Sequence, residues 1–422
     1  MLLRKGKFSG EQKTVAKNYG ALVILQGLNY LLPLLIIPFL ERQLGLEKFG
    51  LVMLAQYLMV FCVVSTDFGF NLTATREISL IKSQNGDYSK IYFKVFWARM
   101  ILLIFVFLIL MTVVFSFERF SQNWAVYLLS YGVVIGQAIF PVWFFQGIEK
   151  MRLITIINVI AKTIFTTLLF LFITGPDDFI KVPVFNSIGF IIAGIISFMI
   201  SLKYVSWQWP HFKGTKEFYK ESFQVFSSNV ASQIGVAANG LILGFFAGDA
   251  VVGVYSAFEK LILAAKNMYV PIYQAIYPYM SRKSWPQKKK MMMLLIPTIT
   301  LIGLTGYGVI YFFGNHIISL LYEDTRIIEN VNLFKVLGLI VVFSGLNMLY
   351  LSLFAPASKL YKNRLRILVL GAIATLILNF YFVPSYGIKA TIYSFTFVEG
   401  LMLLLCIYFY LRKTPNETML NE

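Results

Sequence analysis

The feature that most constrains this chain is a series of apolar runs, each long enough to cross a bilayer as a helix. A helix rises about 1.5 Å per residue, so about 20 apolar residues cover about 30 Å of hydrocarbon. The pattern predicts twelve spans, at roughly 19–40, 46–68, 91–117, 124–146, 153–174, 182–203, 223–246, 250–279, 291–313, 332–354, 365–383 and 389–411. Charged stretches such as 76–90, 203–220, 282–290 and 359–366 separate them, with tight turns at Ala247-Gly248-Asp249 and Pro384-Ser385-Tyr386-Gly387. Only 14% of the residues are charged, against about 25% in soluble domains. The expected fold class is an all-α membrane protein with about 12 transmembrane helices and no extramembrane domain large enough for catalysis.

Charge orients the chain. The net charge of +17 could suggest nucleic acid, but no basic domain stands apart from the apolar runs. With both termini in the cytoplasm, the inside loops and tails hold 26 basic residues and the outside edges seven. That asymmetry is the positive-inside rule, and no nucleic-acid partner is needed. Residues 1–18 are polar and basic, and the first span reads as a retained signal anchor. Cys62 and Cys406 lie in apolar runs, and His211 and His316 fall on opposite sides, so neither a disulfide nor a metal site is expected. No catalytic motif occurs in any loop, so neither enzyme nor cofactor is expected.

The basic linker divides the chain into a six-helix lobe at 1–203, a cytoplasmic linker at 204–220 and a second six-helix lobe at 221–422. An offset of 203 residues carries Gly45 and Gly50 onto Gly248 and Gly253. Halves with an even number of spans both enter from the cytoplasm. Such repeats are parallel and leave a central cavity in which substrate binds near the midplane.

Charges within spans are costly and usually face a cavity or a partner. Arg99, Lys162, Lys260 and Lys266 outnumber Glu259 and Glu399, and a cationic cavity suits a phosphate, a pyrophosphate or an acidic sugar. Arg99 and Lys266 have the alternative of snorkelling to the headgroups. Lys162 and Glu399 are candidates for an ion pair. Glu259 and Lys260 point about 100° apart on a helix, so they are expected to face different ways. Asn18, Gln26, Asn29, Asn229, Gln233 and Asn239 suit sugar hydroxyls or, equally, helix–helix packing. Glu259 and Glu399 are candidates for coupling H+ or Na+ entry.

Several blocks together resemble one family, the O-antigen and polysaccharide flippases. Their superfamily includes the multidrug/toxin extruders (MATE) and the lipid II flippase. The blocks are Leu44-Gly45 with Phe49-Gly50, Asp67-Phe68-Gly69-Phe70 running on to Thr75-Arg76-Glu77, Pro141-Val142-Trp143-Phe144-Phe145-Gln146-Gly147, and Val252 to Lys260 with Pro271 to Pro278. The resemblance implies two parallel lobes around a central cavity. It implies a flippase carrying undecaprenyl-pyrophosphate-linked oligosaccharide outward across the bacterial inner membrane, amid membrane lipids and other polysaccharide assembly proteins. Outward movement of an anion gains about 2.3 kcal/mol per charge per 100 mV. One rival is a multidrug exporter, which the basic surplus disfavours. Another is a membrane polymerase or ligase, which would need a large outer loop. A third, a structural scaffold, would not need buried charges in both lobes.

Overall fold

The computed structural model describes residues 10–210 and 216–412, with side chains described from Leu32 onward except at Lys216 and Pro278. Among the described residues every regular element is helical. The α-helices are α1 (Gly10–Asp67), α2 (Phe70–Ser83), α3 (Ser89–Ser116), α4 (Glu118–Ser121), α5 (Trp124–Ile139), α6 (Val142–Gly147), α7 (Met151–Phe172), α8 (Lys181–Ser201), α9 (Lys216–Ala247), α10 (Asp249–Asn267), α11 (Tyr269–Ser281), α12 (Trp285–Leu321), α13 (Thr325–Glu329), α14 (Val331–Met348), α15 (Ala355–Ala357) and α16 (Tyr361–Leu411). A 3-10 turn precedes α8, and a π-helical turn, Leu349–Phe354, follows α14.

Nine helical stretches among the described residues are long and apolar enough to cross a membrane. Two of them, Leu32–Ser83 with 52 residues and Tyr361–Leu411 with 51, are too long for a single crossing. Each is broken by a glycine outside helical geometry, Gly45 (φ 71°, ψ 160°) and Gly387 (φ 52°, ψ −130°). Gly387 lies in the expected Pro384–Gly387 turn. The expected eighth span corresponds to α10 and α11, and α10 carries Asp249, Glu259, Lys260 and Lys266.

Packing divides the chain into two compact units. One comprises Met1–Leu32, Cys62–Ile173 and Ile180–Ser227; the other comprises Pro33–Phe61, Thr174–Phe179 and Ser228–Glu422. These boundaries differ from 203 and 221, because Pro33–Phe61, from the first half of the chain, packs within the second unit.

In the first unit, small residues let backbones meet. A Cβ at Gly194 would lie 2.6 Å from the Gly136 carbonyl oxygen, and one at Gly189 would lie 2.6 Å from that of Ala161. Close approach of this kind is what holds helices together where lipid removes the hydrophobic drive. The Pro141–Gly147 block supplies core: Trp143, Phe144 and Phe145 are buried with Phe70, Tyr92 and Phe93. The Asp67–Phe70 block is a turn. Phe68 and Gly69 both have left-handed φ, and a Cβ at Gly69 would lie 2.9 Å from that of Val225. The start of the linker folds back on α3: Ser206 N donates to Ser89 Oγ at 2.8 Å, and Trp97 Nε1 donates to the Gln208 carbonyl at 3.2 Å. Trp207 and Trp209 are exposed.

In the second unit the repeat positions meet. Gly248 (φ 93°, ψ 169°) repeats the conformation of Gly45 (φ 71°, ψ 160°). Five residues further on, Gly50 packs against the Asp249 carbonyl and the Gly253 amide, and a Cβ at Gly253 would lie 2.6 Å from the Leu46 carbonyl oxygen. On α9, Gly240 and Gly244 make room for the side chains of Tyr57 and Leu54.

Candidate functional site

Arg99 sits in the first unit, 4% exposed, and does not snorkel. Its placement follows from Pro141. A proline has no N–H, so the Gln137 carbonyl four residues earlier lacks its helical donor. Arg99 Nη2 donates to that carbonyl at 3.2 Å, and Nη1 donates to the Phe140 carbonyl at 3.4 Å. The same Nη2 lies 3.7 Å from Asp67 Oδ1. Asp67 is 7% exposed. The guanidinium thus joins the end of α1 to the break between α5 and α6. Lys162, on α7 in the same unit, is half-buried.

The second unit holds two buried acidic centres. Glu259 on α10 is 0% exposed. Tyr57 Oη donates to its Oε2 at 2.5 Å, and Tyr255 Oη donates to its Oε1 at 3.1 Å. Tyr57 Oη also lies 3.0 Å from Ser256 Oγ. Lys260 Nζ approaches the same carboxylate at 3.6 Å and sits 5.0 Å from the Tyr57 ring centroid. Glu259 and Lys260 therefore share one centre, contrary to the expectation from helix geometry. Their Cβ directions diverge, but the four-carbon lysine stem reaches back.

The other centre lines a cavity of about 240 Å³. Lys266 Nζ donates to Glu399 Oε1 at 2.7 Å, and Asn347 Nδ2 donates to Oε2 at 2.7 Å and to the Glu399 carbonyl at 2.9 Å. Glu399 is thus engaged by Lys266 and Asn347. Ser232, Ser344, Ser352 and Arg364 add to the polar wall. Ser344 Oγ and Asn347 Oδ1 are buried with no hydrogen-bond partner among the described residues. Part of the wall is the π turn Leu349–Phe354, whose Leu351 carbonyl accepts from Arg364 Nε at 3.0 Å. π turns inside helices occur often at functional sites. The cavity therefore presents cations, unoccupied acceptors and hydroxyl groups to a polar or anionic guest.

The amides divide. Asn239 and Asn379 are both 0% exposed, and Asn379 Nδ2 donates to Asn239 Oδ1 at 3.0 Å, which is helix–helix packing. Asn229 and Gln233 are half-buried on α9, while the cavity takes Ser232 and Gly235 from that helix. The side chains of Asn18, Gln26 and Asn29, and the whole of His211, lie outside the described residues. No cluster of three metal-ligating side chains occurs among the described residues.

Sequence reasoning missed Tyr57, Tyr255, Asn347 and Arg364. The tyrosines carry no distinguishing pattern among the 24 in the chain. Arg364 reads as a loop charge, and only its hydrogen bond to Leu351 draws it to the cavity wall.

The chain matches, over residues 15–284, the family described as "Polysaccharide biosynthesis protein". A Shigella dysenteriae protein named "Putative O-antigen transporter" is 27% identical over 390 residues, covering 92% of this chain and 98% of that one. An Escherichia coli (strain K12) protein of the same name is 28% identical over 295 residues, covering 69% and 71%. A solved inward-facing multidrug resistance MATE family transporter of the MOP superfamily aligns with a TM-score of 0.64 at 13% identity, over 90% of this chain and 93% of that one. At that identity the likeness is one of fold alone, that of an all-α membrane protein.

Proposed function

The chain belongs to the polysaccharide biosynthesis protein family, and from that premise we propose that it carries a lipid-linked sugar across the membrane. It is a multi-pass membrane protein and a polysaccharide transporter of the MOP superfamily type. The proposed cargo is the undecaprenyl-pyrophosphate-linked O-antigen or a related polysaccharide repeat unit. The direction is inner to outer leaflet of the bacterial cytoplasmic membrane, by alternating access and without enzymatic chemistry. In this proposal both termini lie in the cytoplasm. The lobes of this reading are 1–203 and 221–422, joined by 204–220.

The observation that carries the proposal is the polar cavity of the second unit. Hydrophobic helices have no structural need for a chamber with Lys266, Arg364, buried acceptors and hydroxyl groups on its wall. A polar, partly anionic guest supplies that need. Lys266 and Lys260 keep some exposure beside their carboxylates and are the proposed contacts for phosphate or acidic sugar. Lys162 is the proposed contact in the first unit, with Asn18, Gln26, Asn29, Asn229 and Gln233 for hydroxyl groups. Arg99 is assigned instead to holding the Pro141 break. Glu259 and Glu399 are the proposed sites for H+ or Na+ coupling.

Complementation in bacteria lacking their own flippase tests this. Lys162→Ala, Lys260→Ala and Lys266→Ala are expected to lower surface polysaccharide at normal protein levels. Full activity in all three would overturn the assignment of contacts. Failure of the unsubstituted protein to restore surface polysaccharide in any of several O-antigen strains would overturn the function.

A further inference from the structure

The two arms of α16 on either side of Gly387 enclose a groove of about 430 Å³. That volume falls within the roughly 300–1,000 Å³ of ligand clefts. Its wall is aromatic: Phe382 and Tyr386 come from one side of the turn, and Tyr393 and Phe397 from the other. All four rings are exposed, from 38% upward, with Tyr386 at 65% and Phe397 at 61%. One cation, Lys389, stands in this wall beside Ser394.

Lys389 differs from the other cations of the spans. Arg99 has Asp67, Lys260 has Glu259, and Lys266 has Glu399. Lys288 donates to the Ala357 carbonyl, and Lys335 lies over Tyr311. Lys389 has no hydrogen bond, ion pair or ring partner among the described residues, and it is exposed. A lysine near the end of a membrane span reaches toward the headgroups, and among the described residues the protein supplies no counter-group there.

We propose that the α16 groove binds one anionic phospholipid. Its phosphate pairs with Lys389 and accepts hydrogen bonds from the hydroxyl groups of Tyr386 and Tyr393. Its acyl chain lies along Phe382 and Phe397. Charge complementarity selects this occupant. An apolar groove alone would suit any chain, but a single unpaired lysine at its head selects a phosphate without a neutralising choline. The site lies on the exterior of α16 and is independent of the transport reading: it would stand if that reading failed.

Native mass spectrometry of the full-length purified protein tests the proposal, with palmitoyl-oleoyl phosphatidylglycerol and its phosphatidylcholine counterpart as probes. One phosphatidylglycerol is expected to be retained per protein in preference to phosphatidylcholine. Lys389→Ala is expected to weaken retention about fivefold, the usual contribution of one lysine at an anionic surface. Lys389→Arg restores it, and Phe397→Ala weakens both lipids. Lys389 is exposed, so its replacement leaves the melting temperature unchanged. Equal retention by the unsubstituted protein and Lys389→Ala would overturn the proposal, as would equal retention of the two lipids. So would displacement of phosphatidylglycerol by an equimolar polyprenyl phosphate, or a dimer of this chain that Phe397→Ala dissolves.

Discussion

Replacing Arg99 by alanine separates a structural cation from a substrate contact. The substitution leaves the Asp67 carboxylate, 7% exposed, without its counter-charge. Removing one member of a buried pair costs about 3–5 kcal/mol. It also strips the Gln137 carbonyl of the donor that Pro141 cannot supply, and a bare buried acceptor costs about 1–3 kcal/mol. The Phe140 carbonyl is less affected, because Val142 N still donates to it at 2.9 Å. Asp67 can limit the loss by taking up a proton, so the lower part of the combined range, about 4–5 kcal/mol, is expected. Domains of 150–250 residues lose about 2–4 °C per kcal/mol, which puts the drop at roughly 8–20 °C. The assay is thermal melting in nanodiscs, read by the fraction that stays monodisperse after heating. Asp67→Asn in the Arg99→Ala background is expected to recover part of the loss, because the neutral amide has no charge to leave unpaired. Arg99→Lys is expected to fall between, since one ammonium cannot serve both carbonyls and the carboxylate. If Arg99→Ala melted with the unsubstituted protein and yet abolished transport, the staple argument would be refuted and Arg99 would belong to the substrate path.

Other substitutions probe the second unit. Gly253→Ala places a Cβ 2.6 Å from the Leu46 carbonyl oxygen and is expected to cost about 1–3 kcal/mol in the same melting assay, whereas Ala at Gly308, where a Cβ meets open space, is expected to be near neutral. Tyr57→Phe removes the 2.5 Å donor to Glu259 and is expected to destabilise by about 1.5–3 kcal/mol; an unchanged melt would show that the contact carries no net energy. Glu399→Gln keeps the shape but removes the charge facing Lys266, so it is expected to lower transport more than stability, with Lys266→Ala and the double substitution showing strong coupling in a double-mutant cycle. Outside the spans, hydrogen bonds from Arg326 hold the Asp324 carboxyl below its usual range. Its folded-state value is depressed, so the contribution of this α13 cap is present above the unfolded value and is lost as pH falls through the folded one. Hydrogen exchange at residues 325–330 is expected to quicken across that acid window, and Asp324→Ala should remove the dependence.

What the sequence by itself determined is the architecture. Hydropathy is summed along a contiguous stretch, and a helix satisfies its own backbone, so each span is legible without knowledge of its neighbours. The turn glycines are legible for the same local reason: Gly45, Gly248 and Gly387 carry positive φ at the expected chain reversals. The motif blocks were legible as a family signature, but not as what they do physically. Trp143, Phe144 and Phe145 turn out to be core, and Gly69 is a left-handed turn pressed against α9.

Only the tertiary structure decided which charges are neighbours. Glu259 meets Tyr57 across 202 residues of sequence, and Lys266 meets Glu399 across 133. A helical wheel gives the direction of a Cβ, not the reach of a lysine stem or the identity of the facing helix. That is why Lys260 returned to Glu259 and why Arg99 went to a proline break. A cation within a span must find a partner, but the rule does not name one. The partner is chosen by helix packing, and packing depends on close approaches such as that of Gly50 to Gly253, which no single stretch of sequence contains.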